Sequence, residues 1–205
     1  MVNTNFWNRL RYTLYAPFYD IVARRLVSGR RRAIELLNIQ PGDRVLIDGC
    51  GTGLDLELLP SGCHVTAIDI TPAMVEKTRA RAAALGLEID ARVMDAANLS
   101  LPDVSFDCVL LHLVLAVVPD PHGTAREATR VLRPGGRASI FDKFLPDDTH
   151  PSLIRRAFGL ATHVVATNIN RRLADVLANS GLEVEHLEPS VFGGVFKVGV
   201  ARRGN

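Results

Sequence analysis

Cysteine is scarce in this 205-residue sequence, which contains only three. Cys50, Cys63 and Cys108 are odd in number, and none lies in a C-x-x-C or Cys/His spacing that would form a zinc site. We therefore expect reduced thiols and no bound metal. Reduced thiols are typical of a cytosolic protein.

Long apolar runs are also missing. The longest, at residues 109–118, is interrupted by His112 and is far shorter than the roughly 20 residues that cross a bilayer. Near the N-terminus, Arg9 and Arg11 interrupt the stretch that a signal peptide would keep apolar, and no small-residue cleavage site follows. The sequence therefore predicts a cytoplasmic protein without a membrane span.

The sequence has little net charge, +2 in total, but the charge is unevenly distributed. Residues 1–37 contain seven arginines against Asp20 and Glu35, a net charge of +5, whereas the remainder carries 17 basic and 20 acidic residues. Such asymmetry indicates an anionic partner for the N-terminal segment. Large apolar and aromatic residues are also concentrated in the first half of this segment: Phe6, Trp7, Leu10, Tyr12, Leu14, Tyr15 and Phe18.

This N-terminal composition has two compatible interpretations. Arginines mixed with aromatic residues are typical of a helix that lies in the headgroup layer of an anionic membrane. Alternatively, the aromatic residues pack as a lid over a site while the arginines are solvated. In either case the pattern over residues 3–37 predicts two helices, broken at Ala16-Pro17.

Strand and helix patterns alternate through the middle of the sequence. This alternation predicts an α/β fold with a doubly wound, mostly parallel sheet. Two C-terminal strands close together in sequence are expected to form an antiparallel edge pair. We expect one domain over residues 1–205, with N-terminal helices at 1–37, a binding core at 41–143 and substrate-side elements at 144–205. The predicted strands are 44–48, 64–68, 88–94, 106–113, 136–143, 182–187 and 191–201, and the predicted helices after residue 37 are 54–59, 71–85, 120–132, 151–165 and 169–179.

The most informative segment follows the first predicted strand. Glycines at 49, 51 and 53 allow a tight turn and a close backbone approach to a ligand. The dinucleotide fingerprint requires glycine or alanine where this sequence has Leu54, and no Lys-Ser/Thr pair closes a triphosphate loop. Asp48 beside the turn would repel a phosphate and attract a cation. The alternative is a strand-to-helix turn that is merely rich in glycine.

Two more acidic residues end predicted strands. Asp69 lies 20 residues after Gly49, where a carboxylate can accept hydrogen bonds from both hydroxyls of a ribose. Asp95 follows the third strand and is placed to face an adenine amino group at the same sheet edge. Alternatively, Asp69 begins a loop or caps the helix at Thr71, and Asp95 is an N-cap.

Four features in this order, VLIDGCGTG, Asp69, DAANLSLPDVSFDCVLLH and VLRPGGR, resemble the successive motifs of class I S-adenosylmethionine-dependent methyltransferases over residues 41–143. The resemblance implies a Rossmann-like seven-stranded sheet with a reversed last strand, and S-adenosylmethionine as cofactor. It implies cofactor contacts by Gly49, Gly51, Asp69, Ile70, Asp95 and Ala96, and it places Met74 either near the adenine or in the core. The predicted cofactor-binding residues also include Asp48, Gly53, His112 and Cys50. For Cys50 the alternative is that it is only a small residue of the loop.

Three further segments, YAPFYDIVARRLVSGRRRAIELL, LHLVLAVVPDP and IFDKFLP, are similar to bacterial phosphatidylethanolamine N-methyltransferases of the peripheral type. Quinone C-methyltransferases share Tyr19-Asp20, but their paired histidines are replaced here by Ala116 and Val117. The resemblance implies a phospholipid acceptor at a membrane surface. The alternatives are methylation of a quinone or other small molecule, methylation of RNA, and a binding module without enzymatic activity. The sequence has no nucleic-acid recognition motif.

The candidate catalytic residues are His112, Tyr15 and Tyr19. His112 interrupts an apolar strand at the carboxyl end, where open α/β sheets bind ligands, and its alternative is a hydrogen-bonded core histidine. The tyrosines would cover the cofactor and touch the acceptor, or pack between helices. The candidate substrate residues are Lys143, which would pair with a phosphate, and Arg171, which lies with His163 in the C-terminal helical region.

Overall fold

The computed structural model describes residues 26–144 and 171–204. The predicted helix break at 16–17, the lid role of residues 1–25 and the predicted helix at 151–165 lie outside the described residues.

One seven-stranded sheet forms the centre of the fold, in the order β3-β2-β1-β4-β5-β7-β6. The first five strands pair in parallel, whereas β7 is antiparallel to both β5 and β6. The prediction of a doubly wound α/β fold with an antiparallel last strand is thus confirmed. The strands are β1 (Arg44–Asp48), β2 (His64–Asp69), β3 (Ile89–Val93), β4 (Phe106–His112), β5 (Leu132–Lys143), β6 (Leu182–Pro189) and β7 (Phe196–Arg203).

Four α-helices connect or flank the described strands: α1 (Val27–Leu37), α2 (Pro72–Ala84), α3 (Pro121–Val131) and α4 (Leu173–Leu177). Helices α2 and α3 each begin with a proline. Proline is tolerated there because the N–H that it lacks would have no partner in the first turn of a helix. Asp120 caps α3 by accepting a hydrogen bond from the Gly123 N–H at 2.8 Å.

The sheet is buried on both faces, as expected for parallel strands. Leu46 of β1 packs on the face covered by α3 and α4, while Val45 and Ile47 pack on the face covered by α1 and α2. Alternate residues of the same strand therefore supply two separate cores. This arrangement leaves the carboxyl ends of β1 to β4 at one open edge of the sheet.

Several predicted elements differ from the structure. Strand β5 begins at Leu132 instead of residue 136, and within the described part of the predicted helix at 169–179 only Leu173–Leu177 is helical. Residues 54–59 form only a short 3-10 helix, Leu54–Leu58, after the left-handed Gly53. Residues 191–195 form a turn instead of the start of the last strand, because Gly193 and Gly194 adopt positive φ angles of 65° and 84°. Strand β7 therefore begins at Phe196.

Helix α1 approaches the sheet closely at Gly29. A Cβ atom at this glycine would overlap the ring of Phe141 on β5. Phe141 is fully buried between His112 and Phe196, so its ring has little room to move. The absence of a side chain at position 29 therefore sets how closely α1 packs on β5.

We predict that Gly29→Ala lowers the free energy of unfolding by about 1–3 kcal/mol, because overpacking a rigid core costs that much. The loss is expected although alanine favours a helix over glycine by about 1 kcal/mol. Ser28→Ala, at the exposed neighbouring position, is the control and should change stability by less than about 0.5 kcal/mol. Urea unfolding measures both; a Gly29→Ala protein as stable as the control would contradict the packing.

Candidate active site

A cleft opens at the carboxyl edge of the sheet, where β1, β2, β3 and β4 end. It encloses about 660 Å³ of space, including the open solvent at its mouth. Loops after four consecutive strands form its walls. The lining residues are Asp48, Gly49, Gly51, Ile68, Asp69, Ile70, Met74, Met94, Asp95, Ala96, Leu113, Val114, Val117, Val118 and Pro119.

The glycine turn after β1 forms the floor of this cleft. Gly49, Gly51 and Gly53 all have positive φ angles, of 74°, 55° and 78°. A side chain at position 49 would also place its Cβ 2.8 Å from Cγ2 of Val114. Glycine is thus required at this position both by the backbone conformation and by the packing of the facing loop.

Asp48 is a fully buried carboxylate at the end of β1, and it lines the cleft. Neither of its oxygens accepts a hydrogen bond from any described residue. Burial, reinforced by the nearby charges of Asp69 and Asp95, raises the pKa of Asp48 to about 8. Because an unpaired buried carboxylate is costly, Asp48 is suited to a cationic or hydrogen-bond-donating ligand.

Asp69 ties the glycine turn to the end of β2. Its two oxygens accept hydrogen bonds from the Gly51 N–H at 3.0 Å and from the Thr71 N–H at 2.8 Å. Burial raises the pKa of Asp69, while these backbone hydrogen bonds oppose the shift. Each carboxylate oxygen has a second lone pair, so Asp69 can still accept hydrogen bonds from a ligand in the cleft. Asp69 can therefore hold the loop and bind a ligand at the same time.

The loop after β3 completes the polar side of the cleft. Asp95 accepts a hydrogen bond from the Ala97 N–H at 3.0 Å, and this bond fixes the turn in which Ala96 faces the cleft. Met74 on α2 and Met94 bring apolar, flexible side chains to the same region. Met74 is almost completely buried, so it belongs to the core as well as to the cleft wall.

The apolar wall of the cleft is the segment from Leu113 to Pro119, after β4. Its backbone is held by Asp142, which accepts a hydrogen bond from the Ala116 N–H at 2.8 Å. It is also held by Arg171, which donates to the carbonyl oxygens of Leu115 and Val118. Arg171 thus positions this wall and does not line the cleft.

His112 is placed differently from the sequence prediction. Its side chain does not line the cleft but points to the sheet face that α1 covers. Nδ1 lies 2.9 Å from Oδ1 of Asp55, and Nε2 lies 2.9 Å from Oγ of Ser139. Both ring nitrogens therefore have hydrogen-bond partners inside the core. These are the contacts of a core histidine, which was the alternative to a catalytic role.

Asp55 connects His112 to α1. Its other oxygen accepts a hydrogen bond from Nη1 of Arg30 at 2.6 Å, and all three side chains are buried. Burial alone would raise the pKa of Asp55, but Arg30 and His112 together hold it well below its usual range. The group is a buried ionic network that fastens α1 to β4.

Three more predicted site residues do not line the cleft. Cys50 is buried beneath the turn, where Thr78 donates a hydrogen bond to its Sγ and burial raises the pKa of the thiol to about 12. Gly53 supplies the left-handed residue before the 3-10 helix. Lys143 is half-buried, with Nζ 5.7 Å from the centre of the Phe196 ring. Tyr15, Tyr19 and His163 lie outside the described residues.

Sequence reasoning missed the wall residues Leu113, Val114, Val118 and Pro119, and also Met94. Residues 109–118 form one apolar run, so periodicity alone does not show where β4 ends and the loop begins. The available signal was Pro119, which cannot continue a central strand.

Within residues 26–144 and 171–204, no cluster of three metal-ligating side chains is present. No helix in the same part of the chain is long and apolar enough to cross a membrane.

Comparisons with known proteins agree with this architecture. A family model described as a methyltransferase domain matches residues 47–140. The chain is 34% identical over 171 residues to a phosphatidylethanolamine N-methyltransferase of Cereibacter sphaeroides, covering 82% of this chain and 84% of the relative. It is 31% identical over 185 residues to a demethylmenaquinone methyltransferase of Thermus thermophilus, covering 86% and 80%.

Solved structures show the same fold. A geranyl diphosphate C-methyltransferase from Streptomyces coelicolor A3(2), solved with S-adenosyl-L-homocysteine, superposes with a TM-score of 0.72 at 18% identity, covering 88% of this chain and 81% of that one. With the glycine turn, the acidic cleft and the reversed last strand, these matches establish that the chain belongs to the class I S-adenosylmethionine-dependent methyltransferases.

Proposed function

We propose that this enzyme methylates the amine of phosphatidylethanolamine, or of its partly methylated forms, at a membrane surface. The observation that carries the proposal is the cleft, in which three carboxylates face an apolar wall. The extended similarity to a phosphatidylethanolamine N-methyltransferase supports the amine acceptor. The N-terminal mixture of arginines and aromatic residues supports a peripheral position on the cytoplasmic face of the inner membrane.

The residues of the cleft fit S-adenosylmethionine. The buried carboxylate of Asp48, which accepts no hydrogen bond from the residues that the structure describes, suits the ammonium group of the cofactor. Asp69 has lone pairs left for ribose hydroxyls, and the carboxylate of Asp95 lines the cleft on the side proposed for the adenine amino group. Met74 and Val114 provide apolar surface for the adenine ring.

Bound S-adenosylmethionine supplies a methyl group already activated by a sulfonium. The protein therefore needs no covalent nucleophile, and its task is to position two reactants and exclude water. The wall from Leu113 to Pro119, braced by Asp142 and Arg171, excludes water from one side of the cleft. An ammonium acceptor must lose a proton before it attacks, so a proton acceptor beside the amine would assist the reaction.

A quinone acceptor is the second candidate, because the similarity to a demethylmenaquinone methyltransferase covers most of both chains. Ala116 and Val117 favour the amine. Val117 lines the cleft and Ala116 is buried, so neither position brings a titratable group to the acceptor.

We predict that Asp69→Ala weakens S-adenosylmethionine binding by about 10- to 100-fold. The reason is the loss of hydrogen bonding to a charged group; a net loss equal to one such bond, about 1.5–3 kcal/mol, corresponds to this factor. Isothermal titration calorimetry measures the affinity, and thermal unfolding checks that the turn has not collapsed. Asp90→Ala, an exposed aspartate on the neighbouring strand β3, is the control. Equal affinities of the two variants would refute the ribose role.

We predict that wild-type protein releases a proton when it binds S-adenosylmethionine at pH 7. With a pKa of about 8, Asp48 is mostly protonated in the free protein, and an ammonium ligand favours the ionised form. Affinity should therefore rise between pH 6 and pH 8. Calorimetry in phosphate and in Tris buffers measures the released proton.

Asp48→Asn is the matched variant for this prediction. It should bind more weakly and show a smaller proton release. The raised pKa of Asp48 destabilises the free wild-type fold as pH rises from about 4 to about 8, so the free variant should be at least as stable as wild type at pH 9. Undiminished proton release by the variant would rule out Asp48 as the source.

We predict that labelled S-adenosylmethionine transfers its methyl group to phosphatidylethanolamine vesicles in preference to demethylmenaquinone or RNA. Thin-layer chromatography of the lipid products, with scintillation counting of each acceptor, measures the transfer. Wild-type protein without acceptor is the blank, and Asp69→Ala is the inactive control. If the quinone is labelled and the lipid is not, the proposed acceptor is wrong and the quinone takes its place.

A further inference from the structure

The turn between β6 and β7, residues 190–195, presents apolar side chains to solvent. Phe192 is 62% exposed, the highest value among the large apolar residues that the structure describes. Val195 is also exposed, and Val191 is half-buried. The turn tip is therefore a small apolar surface on a β-hairpin.

Phe192 is an unfavourable residue for this turn. Its φ angle is 56°, in the left-handed region that a bulky side chain rarely adopts. Glycine or asparagine would occupy the position at lower cost, as Gly193 and Gly194 do next to it. The ring is therefore not explained by the needs of the turn, and such strain tends to mark functional positions.

The Phe192 ring is anchored to the core by other aromatic rings. Its centre lies 5.8 Å from that of Phe196, which lies 5.6 Å from that of the fully buried Phe141. These spacings are those of favourable ring contacts. The exposed ring is thus held in one place at the outer end of a packed aromatic row.

Positive charge lies beside this turn. Nζ of Lys143 is 5.7 Å from the centre of the Phe196 ring, and Lys197 is the next residue of β7. The acidic neighbour on β6, Glu188, forms an ion pair with Arg32 and a hydrogen bond with His186. Apolar side chains flanked by lysines are the composition of a surface that enters an anionic lipid headgroup layer.

The turn lies at the same sheet edge as the cleft. Lys143, the last residue of parallel strand β5, pairs with Phe196, the first residue of antiparallel β7. The residues just before Phe196 are therefore at the carboxyl edge, where β1 and β4 also deliver the cleft residues. A lipid surface that contacts this turn would face the opening of the cleft.

We propose that the turn at residues 190–195 docks on an anionic phospholipid bilayer, with the ring of Phe192 among the acyl chains and Lys143 and Lys197 at the headgroup phosphates. The functional role of this contact, to bring the cleft to its substrate, depends on the proposed lipid acceptor. The contact itself is a property of the turn and is measured without that acceptor.

The test is co-sedimentation of the full chain with vesicles of equal parts phosphatidylcholine and phosphatidylglycerol, without S-adenosylmethionine or phosphatidylethanolamine. Phe192→Ser should lower the partition coefficient about tenfold, because it removes one aromatic side chain from the lipid. For wild type, pure phosphatidylcholine vesicles should bind less protein than the anionic vesicles.

Val104→Ser is the matched control. Val104 is also apolar, 50% exposed and at a positive φ of 53°, but it precedes β4 at the opposite sheet edge. This variant should partition as wild type does. Wild-type protein that does not bind anionic vesicles, or a Phe192→Ser variant that binds as Val104→Ser does, would overturn the proposal.

A second measurement does not depend on the folding of Phe192→Ser. Trp7 is the sole tryptophan of the sequence, so Phe192→Trp in a Trp7→Phe background places one fluorophore at the turn. Its emission should shift to the blue with anionic vesicles and be quenched by brominated acyl chains. Unchanged emission would overturn the proposal. Docking with no transfer to phosphatidylethanolamine would overturn the proposed acceptor alone.

Discussion

The structure depends on one electrostatic constraint: a buried carboxylate, with no hydrogen-bond partner among the described residues, lies beside a turn of glycines. Asp48 is placed there by β1, whose preceding residues fill the two cores. Its isolation costs stability in the free protein, and a positively charged ligand removes that cost. The glycines matter because they let such a ligand approach without displacing Val114.

Side chains that bind backbone groups keep the cleft open. Asp69 holds the glycine turn, and Asp95 holds the loop after β3. Asp142 holds the apolar wall at Ala116, and Arg171 holds it on either side, at Leu115 and Val118. The loops of the cleft therefore have fixed shapes although none is part of a helix or strand. Such preorganisation lowers the ordering cost of binding.

The sequence was sufficient for the parts of the site that follow a sharp local signal. Asp48, Asp69 and Asp95 each end a short β-rich run, and strand ends in a parallel sheet converge on one edge. The structure brings all three to the cleft. The alternation of strands and helices likewise predicted the parallel sheet. The antiparallel end of the sheet was expected from the short turn between the last two strands and from the family resemblance.

The features that were missed depend on contacts distant in sequence. His112 interrupts an apolar run, a pattern shared by ligand-facing and core histidines, and only the positions of Asp55 and Ser139 distinguish them. The end of β4 is hidden because strand and loop are equally apolar. The turn at 191–195 was assigned to a strand because its valines and phenylalanine outweighed two glycines.

The position of β7 between β5 and β6 has a consequence for how the chain folds. β6 precedes β7 in sequence but is not paired with β5. β6 can therefore join the sheet only after β7, which lies between β5 and β6, has been synthesised. Until then the edge of β5, with Ile140 and Phe141, is an unpaired strand edge rich in apolar residues. We expect the β6–β7 hairpin to form locally and then add to that edge as a unit, which makes sheet closure a late step of biosynthesis.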